Sequence, residues 1–449
     1  MIPLRLKEIA AALGTACRED AEILSICTDS RKITRGCLFI ALVGERFDGH
    51  SFVASALQQG AVAAVCSKPV ETDGEVLLVE DTGKAFMLLA AYYRSLFSIP
   101  VAGITGSVGK TTTKEMVYAV LSEKYNTLKN EGNLNNEIGL PTTVFRMNAD
   151  YEAAILEMGM SAFGEISRLS QVAQPSIGVI SKIGVSHIEH LGSREGILKA
   201  KLEILDGLKP GAPLVVNGDD DLLSTVELDD RRVIRFGIEN TACDYVAKDI
   251  EQGEKETTFT VSFGGKVQTV TIPTVGIHNV YNALSAFAVG IYLGVAPEKA
   301  AEGLSKYVTS GMRQRVSDFN GITVVEDCYN ASPDSMRAAV EVLRGLNAKT
   351  KALVFGDMLE LGEISADAHR EIGVLAARKG IDRLYTYGTM AALAAESARE
   401  NGIAFVKSYD DKNALAQELK KELRAGDAVL FKASRGMKLE EVITAFKEV

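Results

Sequence analysis

The sequence lacks three features, each of which would point to a large class of proteins. It has no excess of basic residues, because 59 acidic side chains against 49 basic ones give a formal charge of −10. This balance argues against a nucleic-acid partner, which requires a basic surface. The six cysteines form no C-x-x-C pair, so neither a zinc site nor a disulfide framework is indicated. Since no apolar run approaches the roughly 18 residues of a membrane helix, we expect a cytoplasmic protein without membrane insertion.

What the sequence does contain is a long alternation of strand-like and helix-like segments. At 449 residues it exceeds the size of a single hydrophobic core. Short apolar runs, typical of parallel strands buried on both faces, alternate with helical stretches and predict an α/β fold. We expect three domains: a small α/β domain at 1–82, a central parallel-sheet domain at 83–310 with an antiparallel hairpin appended at 242–273, and a doubly wound, Rossmann-like domain at 311–449.

One glycine-rich segment, GITGSVGKTTTKE at 103–115, has the setting of a phosphate-binding loop. It follows an apolar strand and precedes a helix, whose first N–H groups can bind phosphate oxygens. Lys110 would reach the terminal phosphates, and the Thr111 hydroxyl would bind Mg²⁺. The common pattern G-x-x-x-x-G-K-[ST] needs glycine at 104, where isoleucine stands, so the spacing is the shorter G-x-x-G-K-T. The residues expected to contact the nucleotide are Gly106, Ser107, Val108, Gly109, Lys110, Thr111 and Thr112.

Three further segments carry polar side chains that could belong to a site. KNEGNLNNEIGLP at 129–141 is rich in asparagine, whose side chain both donates and accepts hydrogen bonds. Glu157 ends an apolar strand, where ligands bind in open α/β sheets. Asn279 and Asn282 lie three residues apart at the start of a helix and would share one face. A structural interpretation, as turns or as helix caps, stays open for the asparagines.

Together these segments resemble the Mur ligases, a family of ATP-dependent enzymes that join amino acids or peptides to a carboxylate. The resemblance covers nearly the whole chain. It rests on the short phosphate loop and on the segments KNEGNLNNEIGLP, AILEMGMS, GVSHIEHLG, ILKAKLEIL, GIHNVYNALSAFAVG, TSGMRQRV, EDCYNASPDSM and LFKASRGMKLE. It implies that the protein uses ATP and Mg²⁺, and that the central domain is the ATPase domain.

The resemblance implies a role for each matching residue. Arg313 would reach the γ-phosphate when the domains close. Lys201 would be carbamylated and so provide a carboxylate-like group for a metal, although neighbouring Lys199 competes for this role. The residues expected to be catalytic are Lys110, His187, Lys201 and Arg313, and those expected to bind Mg²⁺ are Thr111, Glu157, His187 and Lys201.

The remaining implied contacts divide between nucleotide and substrate. ATP would also contact Asn279, Asn282, Arg313, Asp327 and Tyr329. The substrate would contact Asn133, Asn135, Asn136 and Asn330. Two positions depart from the family pattern: Ser332 replaces the second asparagine of D-x-Y-N-A-N-P-x-S-M, and Ala433 stands where glycine is common.

The two terminal domains indicate which reaction the resemblance implies. The segment at 27–61 resembles a UDP-binding domain in which Ser30 and Arg31 face the UDP moiety. The D-N-P-R signature of the ligases that add diaminopimelate is absent from the sequence. The resemblance therefore implies an enzyme that joins D-alanyl-D-alanine to UDP-N-acetylmuramoyl-tripeptide, through an acyl phosphate and a tetrahedral intermediate, with release of ADP and phosphate. The sequence leaves the oligomeric state open, and a monomer is the default expectation.

Alternatives to this reaction remain open from the sequence. A ligase that adds the third peptide residue, or a folylpolyglutamate-type ligase, would share the central loop, although the UDP-type N-terminal segment argues against the folate enzyme. A module that hydrolyses ATP to change conformation would also need the loop. The residues do not tell whether the third residue of the substrate peptide is lysine or diaminopimelate.

Overall fold

The computed structural model describes residues 1–309 and 311–448. Its N-terminal domain combines short helices with a small sheet. Its elements are β1 (Leu4–Arg5), α1 (Leu6–Ala12), β2 (Glu22–Ile23), β3 (Ser25–Cys27), β4 (Cys37–Ile40), β5 (Val43–Gly44), β6 (Phe47–Asp48), α2 (Val53–Gln58), β7 (Ala63–Cys66) and β8 (Glu75–Leu78). The parallel sheet has the order β3-β4-β7-β8, and β4 and β7 are buried throughout, as the apolar runs LFIAL and AVAAVC predict.

A long helix, α3 (Thr82–Ser95), leads from the N-terminal domain into the central one. It begins after Asp81, whose carboxylate accepts hydrogen bonds from two N–H groups of the first turn and so caps the helix. The apolar side chains of Phe86, Leu89 and Tyr93 are buried in a core that both domains share. The expected boundary at residue 82 therefore falls at the start of a helix that packs against both domains.

The central domain is a nine-stranded sheet with helices packed against it. Its elements are β9 (Val101–Thr105), α4 (Lys110–Leu121), β10 (Thr127–Lys129), α5 (Gly139–Val144), β11 (Ala153–Glu157), α6 (Glu165–Ala173), β12 (Ile177–Ile180), α7 (Ile188–Leu191), α8 (Arg194–Leu202), β13 (Leu214–Asn217), β14 (Val233–Gly237), β15 (Tyr245–Gln252), β16 (Thr257–Phe263), β17 (Lys266–Ile272), α9 (Ile277–Tyr292) and α10 (Pro297–Ser305). The strand order is β10-β11-β9-β12-β13-β14-β15-β16-β17. Strands β9, β11, β12 and β13 are buried along their whole length, which explains their uninterrupted apolar sequences.

The antiparallel extension predicted at 242–273 lies at one edge of this sheet. β16 and β17 form a hairpin whose turn, Gly264 and Gly265, has φ values of 51° and 75°. Tight hairpin turns need this left-handed conformation, which glycine adopts without a steric cost. β15 pairs antiparallel with β16 and parallel with β14, so the extension has three strands where a two-stranded hairpin was expected.

The C-terminal domain is a second, six-stranded sheet between helices. Its elements are β18 (Arg315–Phe319), β19 (Ile322–Glu326), α11 (Pro333–Gly345), β20 (Lys351–Gly356), α12 (Ser365–Arg378), β21 (Arg383–Tyr387), α13 (Ala391–Glu400), β22 (Phe405–Tyr409), α14 (Lys412–Glu422), β23 (Ala428–Lys432) and α15 (Glu440–Lys447). The order is β18-β19-β23-β20-β21-β22, and all neighbours except β18 and β19 are parallel. The three-domain α/β architecture is confirmed, whereas the exact domain boundaries stay a prediction.

The two large sheets direct the carboxyl ends of their parallel strands into one cleft. Glu157 at the end of β11 and Lys182 after β12 line it from the central domain, and Asp327 after β19 and Lys432 at the end of β23 line it from the C-terminal domain. Ligands bind at this end of open α/β sheets. Within the described residues, every helix is too short or too polar to cross a lipid bilayer.

A buried arginine joins α3 to the central sheet. Arg94 donates hydrogen bonds to the carbonyls of Phe97, Ile99 and Ala173, at 2.6, 3.0 and 3.0 Å. Burial lowers the pKa of its guanidinium to about 10. The side chain thereby connects the end of α3, the chain leading into β9 and the end of α6.

Replacing this arginine is expected to destabilise the protein. Arg94→Met keeps an apolar stem but leaves three carbonyls without their donor, and the buried one, that of Ala173, would cost about 1–3 kcal/mol as an unsatisfied group. The denaturant midpoint should fall measurably in a fluorescence or circular-dichroism titration. Arg344→Met, which removes only an exposed ion pair with Glu341, is the control and should have almost no effect. Equal midpoints for the two variants would contradict the assigned role.

Candidate functional site

The phosphate loop lies between β9 and α4, with glycine where side chains would collide. Gly106 has φ 148° and Gly109 has φ 89°. A Cβ at position 106 would lie 2.0 Å from Ser181 Oγ, and one at position 109 would lie 2.6 Å from Asn282 Oδ1. Both positions therefore require glycine, and the loop closes directly onto the first turn of α4. The free N–H groups of this turn form an anion-binding position.

Two polar side chains of the loop have environments that suit a phosphate. Lys110 Nζ donates to the Gly106 carbonyl at 2.7 Å. Burial lowers the pKa of Lys110, and the positive charge of Arg313 adds to this effect while Glu157 opposes it. Ser107 Oγ is buried and has no hydrogen-bond partner among the described residues. An ammonium and an unpartnered hydroxyl next to a helix N-terminus are suited to phosphate oxygens.

Glu157 is buried at the carboxyl end of β11, with 2 % of its surface exposed. Its Oε1 accepts hydrogen bonds from Thr111 Oγ1 at 3.2 Å and from Asn135 Nδ2 at 2.8 Å. Oε2 is buried without a hydrogen-bond partner among the described residues. A hydroxyl and a carboxylate side by side are the hard oxygen donors that Mg²⁺ prefers, so the residues present fit this ion.

The asparagine-rich segment contributes two of its three expected residues to the cleft. Asn135 and Asn136 line it. Asn136 also accepts hydrogen bonds from the N–H groups of Ile138 and Gly139 and so orders the start of α5. Asn133 is exposed and lies outside the residues that line the cleft.

Asn279 and Asn282 lie together on the first turns of α9, and both line the cleft. Asn282 Nδ2 donates to Asn279 Oδ1 at 3.3 Å, and Asn282 Oδ1 accepts from Thr113 Oγ1 at 3.2 Å. Asn279 Nδ2 donates to Gln314 Oε1 at 2.9 Å, which links the central and C-terminal domains. Neither side chain caps the helix, because Gly276 occupies the N-cap position.

His187 precedes α7 and faces the C-terminal domain. Its Nδ1 lies 2.6 Å from Glu360 Oε2, and the contact with His187 lowers the pKa of Glu360. Both residues have left-handed backbone conformations, with φ 63° and 61°, which are uncommon for residues other than glycine. Such conformations concentrate at functional sites.

Lys201 and Lys199, the two candidates for carbamylation, differ in environment. Lys201 is 2 % exposed, whereas Lys199 is exposed and lies near the ring of Phe163. Burial, together with the charge of Lys110, lowers the pKa of Lys201 well below its ordinary value. Lys201 does not line the cleft directly. Only a neutral amine reacts with carbon dioxide, so this environment favours Lys201 over Lys199.

The C-terminal domain provides the opposite wall. The Arg313 guanidinium lies 4.2 Å from the centre of the Tyr329 ring, in a cation–π contact. Asp327 Oδ2 accepts a hydrogen bond from the buried Lys432 at 2.6 Å, and the Asn330 carbonyl accepts another from Lys432 at 3.1 Å. Ser332, which departs from the family pattern, caps α11 together with Ser335.

The cleft between these walls has a volume of about 750 Å³. Lys182 Nζ lies 3.4 Å from Asp334 Oδ1 and bridges the two domains across it. The predicted residues that line the cleft are Ser107, Val108, Gly109, Lys110, Thr111, Thr112, Asn135, Asn136, Glu157, His187, Asn279, Asn282, Arg313, Asp327, Tyr329 and Asn330. The assignment of individual roles to them stays a prediction.

Some predicted residues lie elsewhere. Ser30 and Arg31 form part of a short 3₁₀ turn in the N-terminal domain, and Arg31 pairs with Asp29 at 2.8 Å. Gly106 is part of the loop but, like Lys201 and Asn133, does not contribute to the lining. Among the described residues, no three His, Cys, Asp or Glu side chains converge on one point. A metal at Glu157 would therefore need further oxygen donors from Thr111, a modified lysine or the nucleotide.

The cleft also contains residues that the sequence did not indicate, among them Lys182, His278, Gln314 and Lys432. Lys182 and Lys432 lie at the carboxyl ends of parallel strands, a position that could have identified them. Burial lowers the pKa of His278, which lies near Asp327 and Gln314.

Comparisons with known proteins agree with this geometry. Three family models match: the Mur ligase family catalytic domain at residues 22–99, the Mur ligase middle domain at 104–290, and the Mur ligase glutamate ligase domain at 312–435. The UDP-N-acetylmuramoyl-tripeptide--D-alanyl-D-alanine ligase of Bacillus subtilis is 45% identical over 99% of this chain and 98% of its own length.

Solved structures give the same result. A MurF crystal structure from Acinetobacter baumannii has a TM-score of 0.93 and 32% identity, covering 100% of this chain and 99% of its own. A MurF structure from Thermotoga maritima in complex with ADP has a TM-score of 0.85 and 32% identity, covering 94% and 97%. The chain therefore belongs to the Mur ligase family, in its branch of UDP-N-acetylmuramoyl-tripeptide--D-alanyl-D-alanine ligases.

Proposed function

We propose that this protein uses ATP to join D-alanyl-D-alanine to UDP-N-acetylmuramoyl-tripeptide, and that it forms the pentapeptide precursor of peptidoglycan, ADP and phosphate. The observation that carries the proposal is the shared cleft in which the phosphate loop and Glu157 face Arg313, Asp327 and Asn330 of the C-terminal domain. The full-length similarity to ligases of this specificity supports the choice of substrates.

The chemistry requires an activated carboxylate, because a free carboxylate has no adequate leaving group at neutral pH. Transfer of the γ-phosphoryl group of ATP to the tripeptide carboxylate gives an acyl phosphate, which the amine of the dipeptide attacks to form a tetrahedral intermediate that loses phosphate. Such a transfer needs mainly positioning and charge neutralisation. Lys110 would bind the terminal phosphates, and Arg313 would approach them from the opposite wall.

Mg²⁺ is the proposed cofactor, and it would neutralise charge on the phosphates. Thr111 and Glu157 would hold one ion, and His187 with carbamylated Lys201 would serve a second. The Thr111 hydroxyl next to Oε1 of Glu157 and the neutral-amine environment of Lys201 support this assignment. The long substrate would reach Ser30 and Arg31 with its UDP end while its peptide end lies near Asn135, Asn136 and Asn330. We further propose a cytoplasmic monomer, consistent with a soluble nucleotide-linked substrate.

A recess of about 140 Å³ adjoins the main cleft and supports a small zwitterionic acceptor. Glu360 and Arg435 both line it, residues of opposite charge that match the two ends of a dipeptide. Glu360 is paired with His187 and Arg435 with Glu440, each at 2.6 Å, so a bound dipeptide would share or replace these partners. Its other walls include Ala331, Ser332 and Gly436, whose small side chains leave room for methyl groups. The amine of D-alanyl-D-alanine would then lie near His187, which also lines the recess.

Removal of the loop lysine should abolish ligation without unfolding the protein. Lys110→Ala deletes the ammonium that would bind the terminal phosphates, and loss of one such group typically lowers kcat by about 10²- to 10³-fold. Steady-state ADP release in the presence of all substrates measures the effect. Lys299→Ala, on the surface of α10, is the control. Near-normal ADP release by Lys110→Ala would refute the assignment of the phosphate loop.

The choice of acceptor should be visible in the substrate dependence of ADP formation. We expect ADP release only when UDP-N-acetylmuramoyl-tripeptide and D-alanyl-D-alanine are both present, because the acyl phosphate must be consumed by the amine before turnover continues. Lysine or diaminopimelate offered as the amine should not replace the dipeptide. Sustained ATP hydrolysis without an acceptor would instead indicate a conformational switch, and a preference for a free diamino acid would indicate a third-residue ligase.

The recess makes a separate prediction for Arg435. Arg435→Gln removes the guanidinium that would bind the dipeptide carboxylate, a charged hydrogen bond worth about 1.5–3 kcal/mol. The KM for D-alanyl-D-alanine should rise by about 10- to 100-fold, whereas the KM for ATP stays constant. Arg399→Gln, which changes an exposed arginine of α13, provides the comparison. If the two KM values rise together, the recess is not the acceptor site.

A further inference from the structure

Lys114 is a fully buried lysine that the proposed chemistry does not use. It lies on α4, one helical turn after Lys110, and its side chain has no exposed surface. It does not line the cleft, in contrast to Lys110. Burial of an ammonium group costs free energy unless hydrogen bonds and opposite charges compensate for it. The surroundings of Lys114 should therefore reveal why a charge is placed there.

Three oxygen atoms surround the Lys114 ammonium. Nζ donates to the Asn130 carbonyl at 2.9 Å and lies 3.3 Å from Glu115 Oε1. It also lies 3.7 Å from Oε2 of Glu157, the oxygen that accepts no hydrogen bond from the described residues. Lys129 pairs with the second oxygen of Glu115, so two lysines balance two carboxylates in this cluster. Lys114 is the member of the cluster that contacts the proposed metal ligand.

Asn130 extends this contact to the main chain of Glu157. Its Oδ1 accepts from the Glu157 N–H at 2.9 Å, and its Nδ2 donates to the Glu157 carbonyl at 3.0 Å. The same Nδ2 donates to the Leu134 carbonyl at 2.8 Å, next to Asn135. By holding the Asn130 carbonyl, Lys114 ties the end of β11 to the asparagine-rich segment.

We propose that Lys114 is a positioning residue for the metal-binding carboxylate of Glu157. It holds Oε2 on the buried side of the carboxylate, so that Oε1 faces Thr111, Asn135 and the cleft. The proposal rests on the proposed function, since it assigns Lys114 to the Mg²⁺ that accompanies ATP. This role explains why α4 has two lysines one turn apart, Lys110 lining the cleft and Lys114 buried behind it.

The sign of the effect on metal binding separates positioning from simple electrostatics. A positive charge near the site repels a divalent cation, so removal of the charge alone would tighten metal binding. Loss of positioning would instead weaken metal binding, because the Glu157 carboxylate would no longer be held in one orientation. A purely structural role would lower stability and leave metal affinity unchanged.

The test measures Mn²⁺ affinity of the full-length protein with ADP by electron paramagnetic resonance, and the Mg²⁺ dependence of ADP release. Lys114→Met removes the charge at similar length, and Lys114→Gln keeps a donor for the Asn130 carbonyl. We expect at least fivefold weaker Mn²⁺ binding in both variants and a matching rise in the half-saturating Mg²⁺ concentration. Lys124→Met is the matched control, because Lys124 also donates to a main-chain carbonyl, that of Gly294 at 2.8 Å, but contacts no residue of the site.

Each outcome decides between the possibilities. Unchanged or tighter Mn²⁺ binding in a folded variant would overturn the positioning role. If Lys114→Met fails to fold, Lys114→Gln decides, and failure of both would assign the lysine to stability and also overturn the proposal. Absence of Mn²⁺ binding in the unaltered protein with ADP would instead count against the proposed function itself.

Discussion

The structure of the site depends on one buried carboxylate, that of Glu157. A carboxylate at the end of an apolar strand is unfavourable unless donors and cations surround it. Here those partners come from α4, through Thr111 and Lys114, and from the asparagine-rich segment, through Asn135, while Asn130 holds the main chain of Glu157. The need to surround the Glu157 carboxylate with partners therefore fixes the positions of the phosphate loop, β11 and the asparagine-rich segment relative to one another.

The second wall of the cleft belongs to the C-terminal domain. Lys110, Glu157 and Lys182 lie near the carboxyl ends of the central strands. Asp327 and Lys432 lie at the corresponding ends of the strands in the C-terminal sheet. Neither sheet alone carries both the phosphate loop and Arg313. Contacts such as Lys182 with Asp334 and His187 with Glu360 cross the boundary and bring the two halves together. Closure of domains around a substrate is a common way to exclude water from reactive intermediates.

How much of this follows from the sequence depends on where the stabilising contacts lie. Strands β9, β11 and β12 were predictable because both of their faces are buried and their sequences are continuously apolar. β10, with three residues, and β18, largely exposed at a sheet edge, have weak local signals and form through pairing with neighbours. The residues of the phosphate loop were recognisable because its glycines and lysine form one short, continuous motif between a strand and a helix. Lys114 was not, because only the folded chain brings the carboxylates of Glu115 and Glu157 to its ammonium group.

The two departures from the family pattern show how such a motif tolerates change. Ser332 replaces an asparagine, yet its hydroxyl caps α11, a task to which either side chain is suited. Ala433 replaces a glycine in a fully buried position, and its Cβ is accommodated next to Gly356, where a second Cβ would lie only 2.7 Å away. The Ala433 methyl group has space because the facing residue, Gly356, has no side chain. The residue that fits a motif position therefore depends on its spatial neighbour, and a comparison that treats each position separately would count Ala433 as a defect where the fold has room for it.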